Sequence, residues 1–112
     1  MDLTAKTEET LTIISVNTDR IDAAVAIQFK DAMRAHTADG PDTVVVDLAS
    51  VNFIDSSGLG AIVASMKNLG PARKLVLAGL TPTVDKVFRL TRMDTVMSLY
   101  STLDRALDDL RG

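Results

Sequence analysis

Two five-residue runs constrain this chain more than anything else in it. Val44-Val45-Val46-Asp47-Leu48 and Lys74-Leu75-Val76-Leu77-Ala78 are apolar at nearly every position. A strand with one wet face alternates, whereas a near-continuous apolar run marks a strand buried on both faces. The chain must therefore supply cover for two sides of a sheet, and amphipathic segments between the strands are the natural source. Leu11-Thr12-Ile13-Ile14-Ser15-Val16 is β-branched and reads as a further strand. Met1 to Lys6 can pair with it through the polar turn Thr7-Glu8-Glu9-Thr10, and Val96 to Tyr100 is a short additional candidate.

Four helical patterns fill the intervals. The first opens at Asp22, a good N-cap, and puts Val25, Phe29, Ala32, Met33 and His36 on one face before Ala38-Asp39-Gly40-Pro41 ends it. The second runs from about Ser57 to Leu69, with Leu59, Ile62, Val63, Met66 and Leu69 at helical spacing and Gly70-Pro71 as its stop. Thr81-Pro82 opens the third, with Val84, Val87 and Phe88 facing inward. The fourth starts at Ser101 and carries the stripe Leu103, Ala106, Leu107 and Leu110. Strands alternating with helices at these lengths predict one α/β domain over residues 1–112. Its mixed sheet has about four to five strands, with about four helices mainly on one side.

Composition removes several function classes. The chain has 112 residues, 46% of them hydrophobic and 24% charged, an ordinary globular balance. Twelve Lys and Arg against fifteen Asp and Glu leave a net charge of -3, so no basic footprint for nucleic acid exists. There is no cysteine, and His36 is the only histidine, which excludes thiolate and multi-histidine metal sites. Asp2, Lys6, Glu8 and Glu9 leave no signal-peptide apolar region, and the longest apolar stretch, Gly58 to Ala64, is far short of a membrane span. The expectation is a cytoplasmic protein with no direct membrane insertion. Arg73, Lys74, Lys86, Arg89 and Arg92 form a basic scatter that reads as a solvated face.

The informative segment is Val44 to Asn68, where a buried strand leads through a loop into Asp55-Ser56-Ser57-Gly58-Leu59-Gly60 and a helix. A dinucleotide fingerprint fails because Val63 holds the third glycine position and the turn lies too far beyond the strand. No Gly-Lys-Ser/Thr phosphate loop occurs. A nucleophile elbow needs glycine two residues before the serine, where Ile54 and Asp55 stand instead. Self-contained catalysis is therefore not expected. Ser56 or Ser57 can cap the helix, and a helix N-terminus also favours added negative charge, so a serine there can be phosphorylated without unfolding its helix. Away from the apolar stripe lie Gly58, Ala61, Ser65 and Asn68, with Gly60, Ala64 and Lys67 beside them. Small residues let another backbone approach closely, which suits a partner protein or another element of the same domain.

Val45 to Gly60 resembles the signature of STAS domains, the anti-sigma-factor antagonists. The similarity extends through Ile21-Asp22-Ala23, Lys74 to Leu80, Thr81 to Met93 and Ala106-Leu107. The resemblance implies a phosphorylation-controlled partner switch and not an enzyme. By it, Ser56 is the phosphoacceptor, Asp55 orients its hydroxyl and contacts the partner, and Asp22 is an acidic loop residue near the acceptor. Ser57 is the second, non-acceptor serine and a cap. Gly58, Leu59, Gly60, Ala61, Ser65 and Asn68 are expected to bind the partner or support the site. The implied partners are a serine-kinase anti-sigma factor, which supplies ATP and magnesium, and a phosphatase that resets the switch. No tightly bound cofactor is expected. Within the same fold, the alternatives are an accessory subunit of a lipid or anion transport system, or a component of a stress-sensing scaffold. Two departures stand out: Asp19 and Arg20 occupy a turn where the family often has glycine before the Ile-Asp pair, and Arg92 replaces the usual glycine near Leu90-Thr91.

Overall fold

The apolar runs become the centre of a five-stranded sheet in a computed structural model that describes residues 1–111. In chain order the elements are β1 (Leu3–Thr7), β2 (Leu11–Val16), β3 (Arg20–Ile21), α1 (Ala26–Thr37), β4 (Thr43–Asp47), β5 (Phe53–Ile54), α2 (Ser56–Leu69), β6 (Lys74–Ala78), α3 (Pro82–Leu90), β7 (Ser98–Tyr100) and α4 (Leu103–Arg111). The main sheet is ordered β1-β2-β4-β6-β7, with the β1–β2 hairpin antiparallel and the other pairs parallel. This is the mixed sheet the sequence predicts.

Successive residues of a strand point to opposite faces, so the buried runs feed two cores. Ile14, Val16, Val44, Val46, Leu75 and Leu77 meet Phe29 and Met33 of α1, Ala61, Ile62 and Leu69 of α2, and Val84 and Phe88 of α3. On the other face Leu11, Ile13, Val45 and Ala78 lie under Ala106 and Leu107 of α4, with Leu103 and Leu110 at the edge. Three helices on one side and one on the other agree with the expected arrangement. A bidentate ion pair from Arg111 to Glu8 ties the end of α4 to the β1–β2 turn.

Several boundaries differ from those expected, each for a local reason. Asp22 does not cap α1. Its Oδ1 accepts from Ala24 N at 3.1 Å, folding residues 22–25 into a turn, and the helix starts at Ala26 with no side-chain cap. The inward stripe is then Phe29, Met33 and Thr37, spaced by four, and His36 is exposed. Thr37 is tolerated inside because its hydroxyl donates to Met33 O at 2.7 Å. The last strand shortens to Ser98–Tyr100 because Met93–Thr95 forms a 3-10 turn. The fourth helix begins at Leu103, where Thr102 Oγ1 accepts from Arg105 N. Arg73 leaves the solvated basic scatter: it is half-buried and donates to Thr37 O at 2.6 Å and Pro41 O at 2.9 Å, tying the end of α1 to the loop before β6. Arg92, where glycine was expected by resemblance, adopts φ 61° and so carries a side chain in left-handed backbone.

Candidate functional site

Two strands of two residues each, absent from the periodicity reading, assemble the site. β3 and β5 pair in parallel with Arg20 opposite Phe53 and Ile21 opposite Ile54. Ile21 and Ile54 are buried, 0% and 5% exposed, which is what holds so short a pair. One strand leads into the turn before α1 and the other into α2, so the openings of both helices lie side by side. Asp55 clamps them together. Its Oδ1 accepts from Gly58 N at 2.8 Å and its Oδ2 from Ala23 N at 3.1 Å, across 32 residues of chain.

Asp55 is thus the N-cap of α2, in extended backbone, and the expected serine cap is corrected. A carboxylate one residue earlier satisfies the amide that a serine would otherwise have served. Ser56 and Ser57 become the first two helical residues, both exposed, and neither hydroxyl has a protein hydrogen-bond partner among the described residues. The Gly58 amide foremost, then the Ala23 and Ser57 amides, hold the Asp55 carboxyl below its ordinary value, so it is an anion at neutral pH. In the structure this carboxylate grips backbone amides and not the Ser56 hydroxyl, so its observed task is to fix the loop.

Gly58 is the closest approach in the site. A Cβ there would stand 1.9 Å from Ile21 O and 2.8 Å from Ile21 C. No side chain fits without displacing β3 from α2. Gly58, Ala61 and Ser65 are buried, Ala61 3% exposed, and α1 packs along this face of α2. Of the two occupants that small residues suit, these positions meet elements of the same chain: the Ile21 carbonyl of β3 at Gly58 and α1 alongside Ser65. Ser65 turns its hydroxyl back to Ala61 O at 2.9 Å, which satisfies it inside the interface. Leu59 is half-buried in the core, while Gly60 and Asn68 are exposed.

The approaches to the two helix openings also carry exposed apolar residues that the sequence pattern does not mark. Phe53 is 43% exposed and Ile27 is 68% exposed. The guanidinium of Arg20 sits 5.1 Å from the Phe53 ring centroid, and its NH1 lies 3.6 Å from Asp22 Oδ2. A two-residue strand is too short to show alternation, which is why Phe53 carried no signal beside the obviously buried Ile54. His36, the sole imidazole, lies in the last turn of α1, at the opposite end of that helix from Asp22 and Asp55. No group of three or more metal-binding side chains occurs among the described residues. Around this helix opening stand two exposed alcohols, two carboxylates and one arginine.

The STAS domain family model matches residues 2–106. The chain is 30% identical over 92 residues to the anti-sigma-F factor antagonist RsfB of Mycobacterium tuberculosis, an alignment covering 82% of this chain and 75% of that protein. The crystal structure of an anti-sigma factor antagonist from Mycobacterium paratuberculosis superposes with a TM-score of 0.83 at 30% identity, covering 99% of this chain and 94% of the other. An anti-sigma-factor antagonist (STAS) domain protein from Planctomyces limnophilus gives a TM-score of 0.89 over the whole of both chains at 24% identity. With the fold, the Asp55-Ser56 helix opening and these similarities together, the chain belongs to the STAS domain family.

Proposed function

We propose that this chain is an anti-sigma factor antagonist acting in the cytoplasm, and that Ser56 is its switch. Unphosphorylated, it binds a serine-kinase anti-sigma factor. The kinase then moves the γ-phosphoryl group of its own ATP to Ser56 Oγ, the hydroxyl proton departs, ADP is left, and the modified chain is released. A phosphatase returns it to the binding form. The observation that carries this reading is the division of labour at the start of α2. Because Asp55 takes the cap, the Ser56 hydroxyl is exposed and uncommitted at the first helical position.

The electrostatics support the same reading. A phosphoryl group adds about -1.5 to -2 charges at neutral pH. Negative charge at a helix opening is favourable by about 0.3–1 kcal/mol, while Asp55 and Asp22 oppose it. The fold survives the modification, yet a partner closing over the site must now desolvate a dianion. The test is incubation with the cognate kinase and Mg-ATP followed by phosphopeptide mass spectrometry and binding titration. Phosphate on Ser56 alone, tight kinase binding by Ser56→Ala and weak binding by Ser56→Asp are expected. Phosphate on Ser57, or equal affinity of the two variants, overturns the assignment.

A further inference from the structure

We infer that Arg20 is a positioning residue of this switch, which pairs with Asp22 while Ser56 is free and transfers to the phosphoryl group once Ser56 is modified. The inference rests on the reading of Ser56 as the acceptor and adds to it a cation that moves. Three observations carry it. First, the β3–β5 register sets Arg20 beside Phe53, and both strands run toward the acceptor. The Arg20 guanidinium does not point away from that end: it reaches forward past Ile21 to Asp22, the residue whose neighbour Ala23 is hydrogen-bonded to Asp55. It therefore stands between Phe53 and the Asp22–Ala23 turn that Asp55 clamps.

Second, the present partnership of Arg20 is a loose one. The contact to Asp22 is single and long, at 3.6 Å, and the arginine side chain is 57% exposed. The Phe53 face supports the guanidinium from below without fixing its heading. Third, the carboxylates are occupied unequally. Asp55 spends both oxygens on Gly58 N and Ala23 N, and Asp22 spends Oδ1 on Ala24 N, leaving Asp22 Oδ2 as the atom that faces Arg20. Of the ion pairs among the described residues, Arg20–Asp22 is the one at this end of the molecule; the others involve Arg89 and Arg111.

A phosphoryl dianion changes the competition for that arginine. Guanidinium matches phosphate oxygens in a bidentate, charge-assisted geometry that is stronger than one long contact to a carboxylate. Arg20 turns on its stem from Asp22 toward the phosphate and keeps its aliphatic part on Phe53. Phosphorylation then alters the acceptor face twice, by adding an anion and by withdrawing an exposed cation. A glycine at position 20 could not do the second.

The test does not need the kinase. Phosphoserine is placed at position 56 during translation, and the second phosphate ionisation is followed by phosphorus NMR in the intact chain. An adjacent arginine favours the dianion, so Arg20→Ala should raise that pKa by about 0.5 or more, with Arg20→Lys in between. In nitrogen-detected spectra, the Arg20 side-chain Nε–H should shift between the unmodified and phosphorylated chains. Identical phosphate titrations in the parent and Arg20→Ala, both folded by amide spectrum, overturn the inference. Failure of any kinase to modify Ser56 would overturn the functional reading and leave this measurement standing.

Discussion

Helices α2 and α3 begin alike in the sequence and differently in the molecule. Each follows a buried strand and a loop, and each has a hydroxyl residue at its opening, Ser56-Ser57 in one and Thr81 in the other. In neither does the hydroxyl cap the helix. At α2 the cap is the Asp55 carboxylate, which leaves both serines free and exposed. At α3, Thr81 occupies the cap position but donates its hydroxyl to Val51 O at 2.8 Å, fastening the loop that leads to β5. Pro82 presets the first turn there and has no amide to satisfy. One opening is thus built to hold the fold, while the other is built so that a carboxylate holds the fold and a hydroxyl remains available. That difference is why the proposed switch lies on α2 and not on α3.

The contrast can be broken most severely at Gly58. Gly58→Ala should cost about 3 kcal/mol or more, since the obstructing atom is the Ile21 carbonyl of the backbone and not a movable side chain. Gly60→Ala, two residues along the same helix with nothing within 4 Å, should stabilise by about 0.5–1 kcal/mol. Thermal melting of both variants checks the pair. Equal effects would mean that β3 does not press on α2 in solution.

Next in size is Asp55→Ala. Losing the cap and the Ala23 clamp should lower Tm by about 5 °C at neutral pH. The sign of the pH dependence follows from the direction of its shift. The folded-state value lies below the ordinary 3.8, so the contribution is complete above that value and fades as pH falls through the lower one. Parent and Asp55→Ala melting curves should therefore stay a constant distance apart from pH 7 to 5 and converge in stronger acid. A Ser57→Ala variant that loses as much as Asp55→Ala would return the cap to the serine.

The smallest effects sharpen the comparison most. Thr81→Val removes one hydrogen bond to a partly buried carbonyl and should cost about 1 kcal/mol in chemical denaturation. Ser56→Ala should change stability by less than about 0.5 kcal/mol, because its hydroxyl holds nothing. If Ser56→Ala destabilises as much as Thr81→Val, the two openings are equivalent and the functional reading of α2 weakens.

Much of this is legible in the sequence. β4 and β6 carry their burial in consecutive residues, so a short window suffices to find them and to require cover on both sides. Helix stops at Gly70 and the Thr81-Pro82 opening depend on backbone chemistry within two residues. The segment proposed to hold the acceptor was legible through resemblance, since its run Asp55 to Gly60 is contiguous. What escaped was anything decided by a neighbour distant along the chain. The small face of α2 looks the same in sequence whether a partner or α1 covers it. Asp22 and Asp55 look like equivalent acidic residues until the β3–β5 pair makes one a turn former and the other a clamp.

The sequence by itself determined the α/β order, the buried central strands and the location of the serine pair at a helix opening, because these rest on local periodicity and local turn chemistry. Only the tertiary structure decided which atom caps that helix, which glycine admits no side chain, and where Arg20 stands. The glycine and the arginine depend on residues about thirty or more positions apart, Gly58 on Ile21 and Arg20 on Phe53, and the carboxylate that caps locally at Gly58 is also held by Ala23, 32 positions away. Donors and close contacts are allocated after the chain has folded, among whatever groups the packing brings together.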